Sequence, residues 1–194
     1  MSTPLGVGVI SMGWMGFVHG RAYRMIADRF PESGLEAQLL ICADEIETRA
    51  REAKVRLGFE RCTTDWKQVI AEVARVLVSR GLFFFDTINR TMKSRVTFIY
   101  GLQEFPRTAL MPADTHVWQM FIKPNEISAA LREKGMQVED MQGGKIAKNP
   151  LATLWDIRQQ KQGRITFAEL GRRLKLELDG DLSLNYLGYA HKMV

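Results

Sequence analysis

The sequence is poor in the residue types that carry the most recognisable chemistry. Only two of its 194 residues are cysteines, and Cys42 and Cys62 follow neither CxxC spacing nor a Cys/His ligand pattern. That excludes a disulfide framework and a thiolate zinc site, leaving two reduced core thiols of a cytosolic protein. No apolar run approaches the roughly 18 residues that a membrane-spanning helix needs, and residues 1–4 are too short for a signal peptide. The expectation is a soluble, cytoplasmic chain, at most peripheral to a membrane. No metal triad, Ser-His-Asp set or Walker loop is present. Of three histidines, His116 is the candidate base, yet no neighbouring acid is assigned to orient it.

Acidic excess is also missing. Residues 1–79 hold ten Lys/Arg against ten Asp/Glu, and residues 80–194 hold 17 against 12, so the whole net charge of +5 falls in the second part. Such a balance suits an anionic ligand, membrane headgroups or nucleic acid, and more readily a solvated helical surface. No nucleic-acid partner is expected. With 46% hydrophobic residues, the chain is long enough to bury one full core, and a single domain over residues 1–194 is the default.

What is present begins with a strand, a glycine turn and a helix. Residues 5–10 form an apolar and glycine run, followed by Ser11-Met12-Gly13-Trp14-Met15-Gly16 and then by Val18, Ala22, Met25, Ile26 and Phe30 at near-helical spacing. A second strand over residues 36–43 ends at Asp44-Glu45, a charged helix covers residues 47–57, and Gly58 stops it. Residues 60–63 form a third short strand, with Asp65 as N-cap of the next helix. Such a turn lets the backbone approach a pyrophosphate whose charge is met by amides at the helix N-terminus. A carboxylate ending the second strand accepts hydrogen bonds from ribose hydroxyls, and Asp44 stands in that place. The first glycine of the usual GxGxxG pattern is here Ser11, which costs about 1 kcal/mol if its φ is positive.

This part resembles the glucose-fructose oxidoreductase and inositol dehydrogenase family, through GVGVISMGWMGFVHGRAY, ICADEIETRAREAKVRLGF and TTDWKQVIA. The resemblance covers about a third of the chain. It implies a small-molecule nucleotide cofactor, NAD, held by residues 11–16 with Asp44 and Glu45, and the carboxylate favours NAD over NADP. The family's catalytic lysine and histidine and its large substrate sheet have no counterpart. Lys123-Pro124 opens a helix instead, with Pro124 suited to the first turn.

The second part reads differently. An apolar stripe of Val69, Ile70, Val73, Val76 and Leu77 predicts one helix over residues 65–79, closed by Gly81. Residues 82–85 are continuously apolar, as for a strand covered on both faces, and Asp86, Thr87 and Asn89 follow at its C-terminal end. That end faces the ligand crevice in open α/β sheets, although the same residues also suit a turn. Residues 125–134 predict a helix ended by Gly135, residues 136–141 and 184–191 two strands, and residues 151–160 and 167–174 two short helices.

These stretches resemble the ubiquinone-pathway O-methyltransferases that use S-adenosylmethionine, through EVARVLVSRGLFFFDTINRTMKS, THVWQMFIKPNEI and DLSLNYLGYAHK, over about 120 residues. In that family the region after DTINRT helps enclose a prenylated phenol, which implies at most peripheral membrane contact through residues 90–122. That family's own glycine loop and its Glu-containing metal motif would precede residue 72 and are absent.

Together the elements predict an α/β fold, a three-layer α-β-α Rossmann-like doubly wound sheet. It is mostly parallel, with about six strands in the order 3-2-1-4-6-5, the last two an antiparallel hairpin. Residues 1–71 would be its oxidoreductase-like half and residues 72–194 its methyltransferase-like half. Two lineages meeting inside one helix imply an engineered or recombined chimera that binds NAD(H) without efficient turnover. The alternatives are an S-adenosylmethionine-dependent O-methyltransferase acting on a quinone precursor, and a folded scaffold with no ligand.

Overall fold

A computed structural model describes residues 3–112 and 115–194. These form two compact units: one of residues up to Phe83 with Ala129–Gln137 and His191–Val194, the other of Phe84–Ser128 with Val138–Ala190.

In the first unit, β1 (Thr3–Ile10), β2 (Leu35–Ala43) and β3 (Arg61–Thr63) form a parallel sheet in the order β1-β2-β3. Between β1 and β2 run α1 (Trp14–Arg24), the short α2 (Ile26–Arg29) and a 3-10 turn, and between β2 and β3 runs α3 (Glu47–Leu57). The single helix expected through Phe30 is broken at Met25, whose ψ of 1° leaves the helical range. Val7, Val9, Leu39 and Cys42 pack with Ala53 and Leu57 of α3 and Phe17 of α1. Ile41 and Ala43 pack with Val69 of α4 (Trp66–Val76). Helices thus cover both faces, the three-layer arrangement expected. Each large apolar side chain so buried contributes about 1.5–3 kcal/mol.

The predicted punctuation is in place. Gly58 ends α3 with φ 80°, and the Asp65 side chain accepts from the Lys67 amide at 2.9 Å. Helix α4 stops at Val76, three residues short of the expected end. Lys192 Nζ donates to the carbonyls of Ala74 (2.7 Å) and Leu77 (2.8 Å) there, satisfying acceptors that a helix end leaves open.

The remaining strands are β4 (Leu82–Ile88), β5 (Met136–Ile146), β6 (Leu176–Asp179) and β7 (Asn185–Lys192), in a sheet ordered β4-β7-β5-β6. Among the described residues the expected single six-stranded sheet is therefore replaced by two sheets and seven strands. The ladder of β4 is spent on β7, which runs against it. Lys192 donates to the Gly81 carbonyl at 3.0 Å near one end, and Asn89 to the Leu184 carbonyl at 2.9 Å near the other. The expected neighbour order of the last three predicted strands survives as β4-β7-β5. Strand β6, which was not expected, pairs antiparallel with β5 from Gly143↔Asp179 to Ile146↔Leu176.

The other helices are α5 (Met92–Ser94), leading into a π-helix at Arg95–Glu104, then α6 (Pro124–Glu133), α7 (Pro150–Lys161) and α8 (Phe167–Leu174). Pro124 opens α6, and Gly135, at φ 72°, follows its end. Strand β4 is not covered on both faces. Phe84 is 70% exposed, its ring 5.9 Å from that of Tyr189.

Candidate functional site

The first unit brings residues 11–16, Asp44 and Glu45 together. Ser11 has φ 73°, the left-handed conformation that its Cβ disfavours, and its amide donates to the Ala43 carbonyl at 2.8 Å. Met12 turns inward and is 1% exposed among the residues of β1, β2 and α3. Its amide donates to Asp44 Oδ2 at 2.7 Å, while Ile46 N–H donates to Asp44 Oδ1 at 2.9 Å. Asp44 is itself only 1% exposed, and its amide donates to the Thr63 carbonyl at 3.1 Å. Both carboxylate oxygens therefore hold backbone amides of the loop and of the turn into α3.

Gly16 is required by close approach. A Cβ there would stand 2.1 Å from the Ser11 carbonyl oxygen, which no other residue tolerates. Gly13 precedes α1 with an extended backbone and accepts from the Phe17 amide at 3.1 Å. No side chain caps α1 among the described residues, and its first turn has no acidic group. Its leading amides can therefore meet an anion. Met15 is half-buried and Glu45 exposed, and the Trp14 side chain lies outside the described part. These features fit a nucleotide in two respects: an uncapped helix start suits a phosphate, and a carboxylate at the strand end suits a ribose. A ribose would share Asp44 with the amides it already holds.

Asp86, Thr87 and Asn89 lie in the second unit. Asp86 and Thr87 are within β4, exposed and half-buried respectively, so the strand runs further than the sequence indicated. Asn89 is a structural anchor. Its Nδ2 donates to the Leu182 carbonyl at 2.9 Å and its carbonyl accepts from Ser94 Oγ, while Oδ1 is buried with no partner among the described residues.

His116 sits between the rings of Phe98 and Phe121, each 6.1 Å away. Gln103 fixes its backbone, accepting from its amide at 2.7 Å and donating to its carbonyl at 3.3 Å. Burial pushes the imidazole pKa below its ordinary value and so favours the neutral form, and Nδ1 has no partner among the described residues. Among the described residues no carboxylate is hydrogen-bonded to its ring. Arg95 lies over the Trp118 ring at 5.1 Å, a stacking that the sequence did not reveal. Of the apolar groups within residues 90–122, Ile99 and Phe121 are buried, Trp118 is half-buried, and Val96 and Tyr100 are exposed.

Cys42 and Cys62 are free thiols facing each other in the β2–β3 register, with Cys42 buried. Burial pushes the Cys42 thiol up to about 12, which keeps it protonated and inert. Among the described residues no group of three His, Cys, Asp or Glu side chains could hold a metal. No helix there is long and apolar enough to cross a membrane.

No family model matches the chain. It is 39% identical over 128 residues to the ubiquinone biosynthesis O-methyltransferase of Hahella chejuensis, covering 66% of this chain and 43% of that protein. It is 34% identical over 93 residues to the same enzyme of Thiobacillus denitrificans, covering 48% of this chain and 38% of the relative. The chain spans from about a quarter to about two fifths of the length of the curated relatives it matches. Among solved structures, levoglucosan dehydrogenase in complex with NADH and levoglucosan aligns with 35% of this chain and 18% of its own, at 34% identity and TM-score 0.33. An S-adenosylmethionine-dependent methyltransferase from Listeria monocytogenes aligns with 97% of this chain and 90% of its own, at 12% identity and TM-score 0.40. The chain is thus similar to ubiquinone O-methyltransferases over about half its length and to NAD-binding oxidoreductases over about a third.

Proposed function

We propose that this protein binds an adenosine cofactor at residues 11–16 and Asp44, and that its activity is S-adenosylmethionine-dependent O-methylation of a phenolic quinone precursor. The observation that carries this reading is the 39% identity over 128 residues to a ubiquinone biosynthesis O-methyltransferase. The reaction forms a bond from the phenolic oxygen to the methyl carbon, breaks the carbon–sulfur bond and releases the phenolic proton. The chain's own part at the nucleotide is to present the Asp44 carboxylate and the α1 amides in a fixed loop, with Gly16 allowing the helix to start close against Ser11.

One observation favours a second reading, NAD(H) binding by a recombined chain without efficient turnover. The amides at the start of α1 have no side-chain cap; they suit a pyrophosphate, which S-adenosylmethionine lacks. Residues 1–71 and 72–194 would then be halves of different origin in one Rossmann-like domain.

Parallel calorimetric titrations with S-adenosylmethionine, S-adenosylhomocysteine and NADH separate the two. Binding of the two methionine-derived ligands, together with methyl transfer to a catechol acceptor, is expected. Binding of NADH alone at millimolar concentration or below would replace the first reading by the second.

A further inference from the structure

The chain has two cysteines, and the fold brings them to one position. Cys42 of β2 and Cys62 of β3 are 20 residues apart in sequence and directly opposed in the parallel register, between the pairs Ile41↔Arg61 and Ala43↔Thr63. Both side chains stand on the face of the sheet that α3 covers. Cys42 belongs to the core around Ala53 and Leu57, and Cys62 packs against it. The Cys42 thiol lies 3.7 Å from the Arg61 carbonyl oxygen, in the peptide group that leads into Cys62. Neighbouring strands run about 4.8 Å apart, inside the span of roughly 4.4–6.8 Å between Cα atoms that a disulfide bridges. Opposed thiols on one face of adjacent strands therefore meet the geometric requirement for a bond.

The two thiols differ in access. Cys42 is fully buried and its thiol donates to the Ala50 carbonyl at 3.5 Å, so a reagent in solution does not reach it. Cys62 is half-buried and lines a cavity of about 670 Å3 with Arg51, Lys54, Thr63 and Thr64. Lys54 and the Glu47-paired Arg51 suit a small anionic reagent there. Cys62 is thus the thiol that reacts first, and Cys42 the one behind it that closes the bond.

We propose that Cys42 and Cys62 are a reversible dithiol–disulfide pair, oxidised by small anionic disulfides such as oxidised glutathione that enter beside Arg51 and Lys54. Cys62 Sγ attacks one sulfur of the reagent, breaks its sulfur–sulfur bond and releases the first glutathione. Cys42 Sγ then attacks Cys62 Sγ, forming the Cys42–Cys62 bond and releasing the second. The protons of the two cysteines pass to the two glutathione thiolates, so two protein thiols are oxidised and one reagent disulfide is reduced. The bond ties the three-residue β3 to β2 two positions before Asp44, whose amide donates to the Thr63 carbonyl at 3.1 Å. It stands whether or not the cofactor reading does.

The test exposes the folded full chain to oxidised glutathione without denaturant and reads intact mass and a peptide map. The expected product is a monomer lighter by two hydrogen atoms, with no glutathione retained and one peptide pair joined through Cys42 and Cys62. Dithiothreitol should restore the starting mass. C42S should stop at a stable glutathione adduct on Cys62, and C62S should stay unmodified. The unmodified chain alone supplies the first result, which keeps the proposal falsifiable if either variant does not fold. A glutathione adduct that persists on Cys62 of the original chain, a bond between two chains, two thiols left unreacted at millimolar reagent, or a folded C62S modified at Cys42 would each overturn it.

Discussion

Met12 and Asp44 are 32 residues apart and joined by a single 2.7 Å hydrogen bond from the Met12 amide to Asp44 Oδ2, in a setting almost closed to water. The same carboxylate holds the Ile46 amide. Asp44 is thus the latch between the loop before α1 and the turn before α3. Removing a buried acceptor leaves its donors unsatisfied, at about 1–3 kcal/mol each. Asp44→Ala is expected to destabilise the chain by roughly 2–4 kcal/mol on that account, read as a lower urea midpoint at constant m-value. It should also weaken whichever nucleotide binds. A midpoint equal to that of the unmodified chain would remove the latch.

Ser11 and Gly16 face opposite tests of one turn. Ser11 holds φ 73° at a position where glycine has no steric penalty. Ser11→Gly should therefore stabilise the chain, by about 0.5–1 kcal/mol after the added freedom of the unfolded glycine is counted. Gly16→Ala should do the reverse, because its Cβ would meet the Ser11 carbonyl oxygen at 2.1 Å. An overpacked backbone contact costs about 1–3 kcal/mol. Thermal unfolding of the two variants side by side checks the pair. A Gly16→Ala chain as stable as the original would contradict the geometry.

Much of this loop was legible because its signals are local. Gly58, Asp65 and Gly135 act within one turn of their own position, and α8 runs over Phe167–Leu174 as its spacing indicates. Less legible was what each carboxylate does, since Asp44 reads alike whether it faces a ribose or the Met12 amide. What α7 buries was hidden for a related reason. Burial of Asp156 depends on Lys148 and on Arg173, 17 residues away in α8. Strand β6 was missed because its apolar residues lie among charges and all but Asp179 are exposed, so pairing with β5 alone defines it. The run at residues 82–85 misled in the other direction. Its apolar content predicts cover on both faces, yet Leu82 is 54% and Phe84 70% exposed, because a run of apolar residues does not specify which of its alternating faces has a partner.

His116 supplies a pH test. Burial lowers its folded pKa below the value of 6.5 for a free imidazole, so the unfolded chain binds the proton more readily. The neutral form's contribution is complete above the unfolded pKa and is lost as pH falls through the folded one. Stability should therefore decline on acidification below about pH 6.5, and His116→Gln should flatten that part of the curve. Urea unfolding at a series of pH values from neutral downward measures it. An identical pH profile for His116→Gln would show that His116 does not couple to folding.

Glu72 carries the strongest acid-side prediction. Its side chain is 7% exposed and receives Arg75 at 2.6 Å from its own helix and Arg61 from β3, so it pins α4 to the edge of the sheet. The Arg75 hydrogen bond is the largest reason that its pKa falls from 4.5 to about 2, against the opposing effect of burial. A depressed carboxylate contributes stability that is fully present above the unfolded pKa and lost as pH falls through the folded one. The chain should therefore lose stability between about pH 4.5 and pH 2. Glu72→Gln keeps the shape and removes the charge, leaving two exposed guanidinium groups that water can solvate. Its cost at neutral pH should be about 1–3 kcal/mol, below the 3–5 kcal/mol of a pair broken with a charge left buried. That cost should shrink toward zero as the original chain is acidified through the same window. A cost independent of pH would mean that packing of the Glu72 stem, rather than its charge, holds α4 to β3.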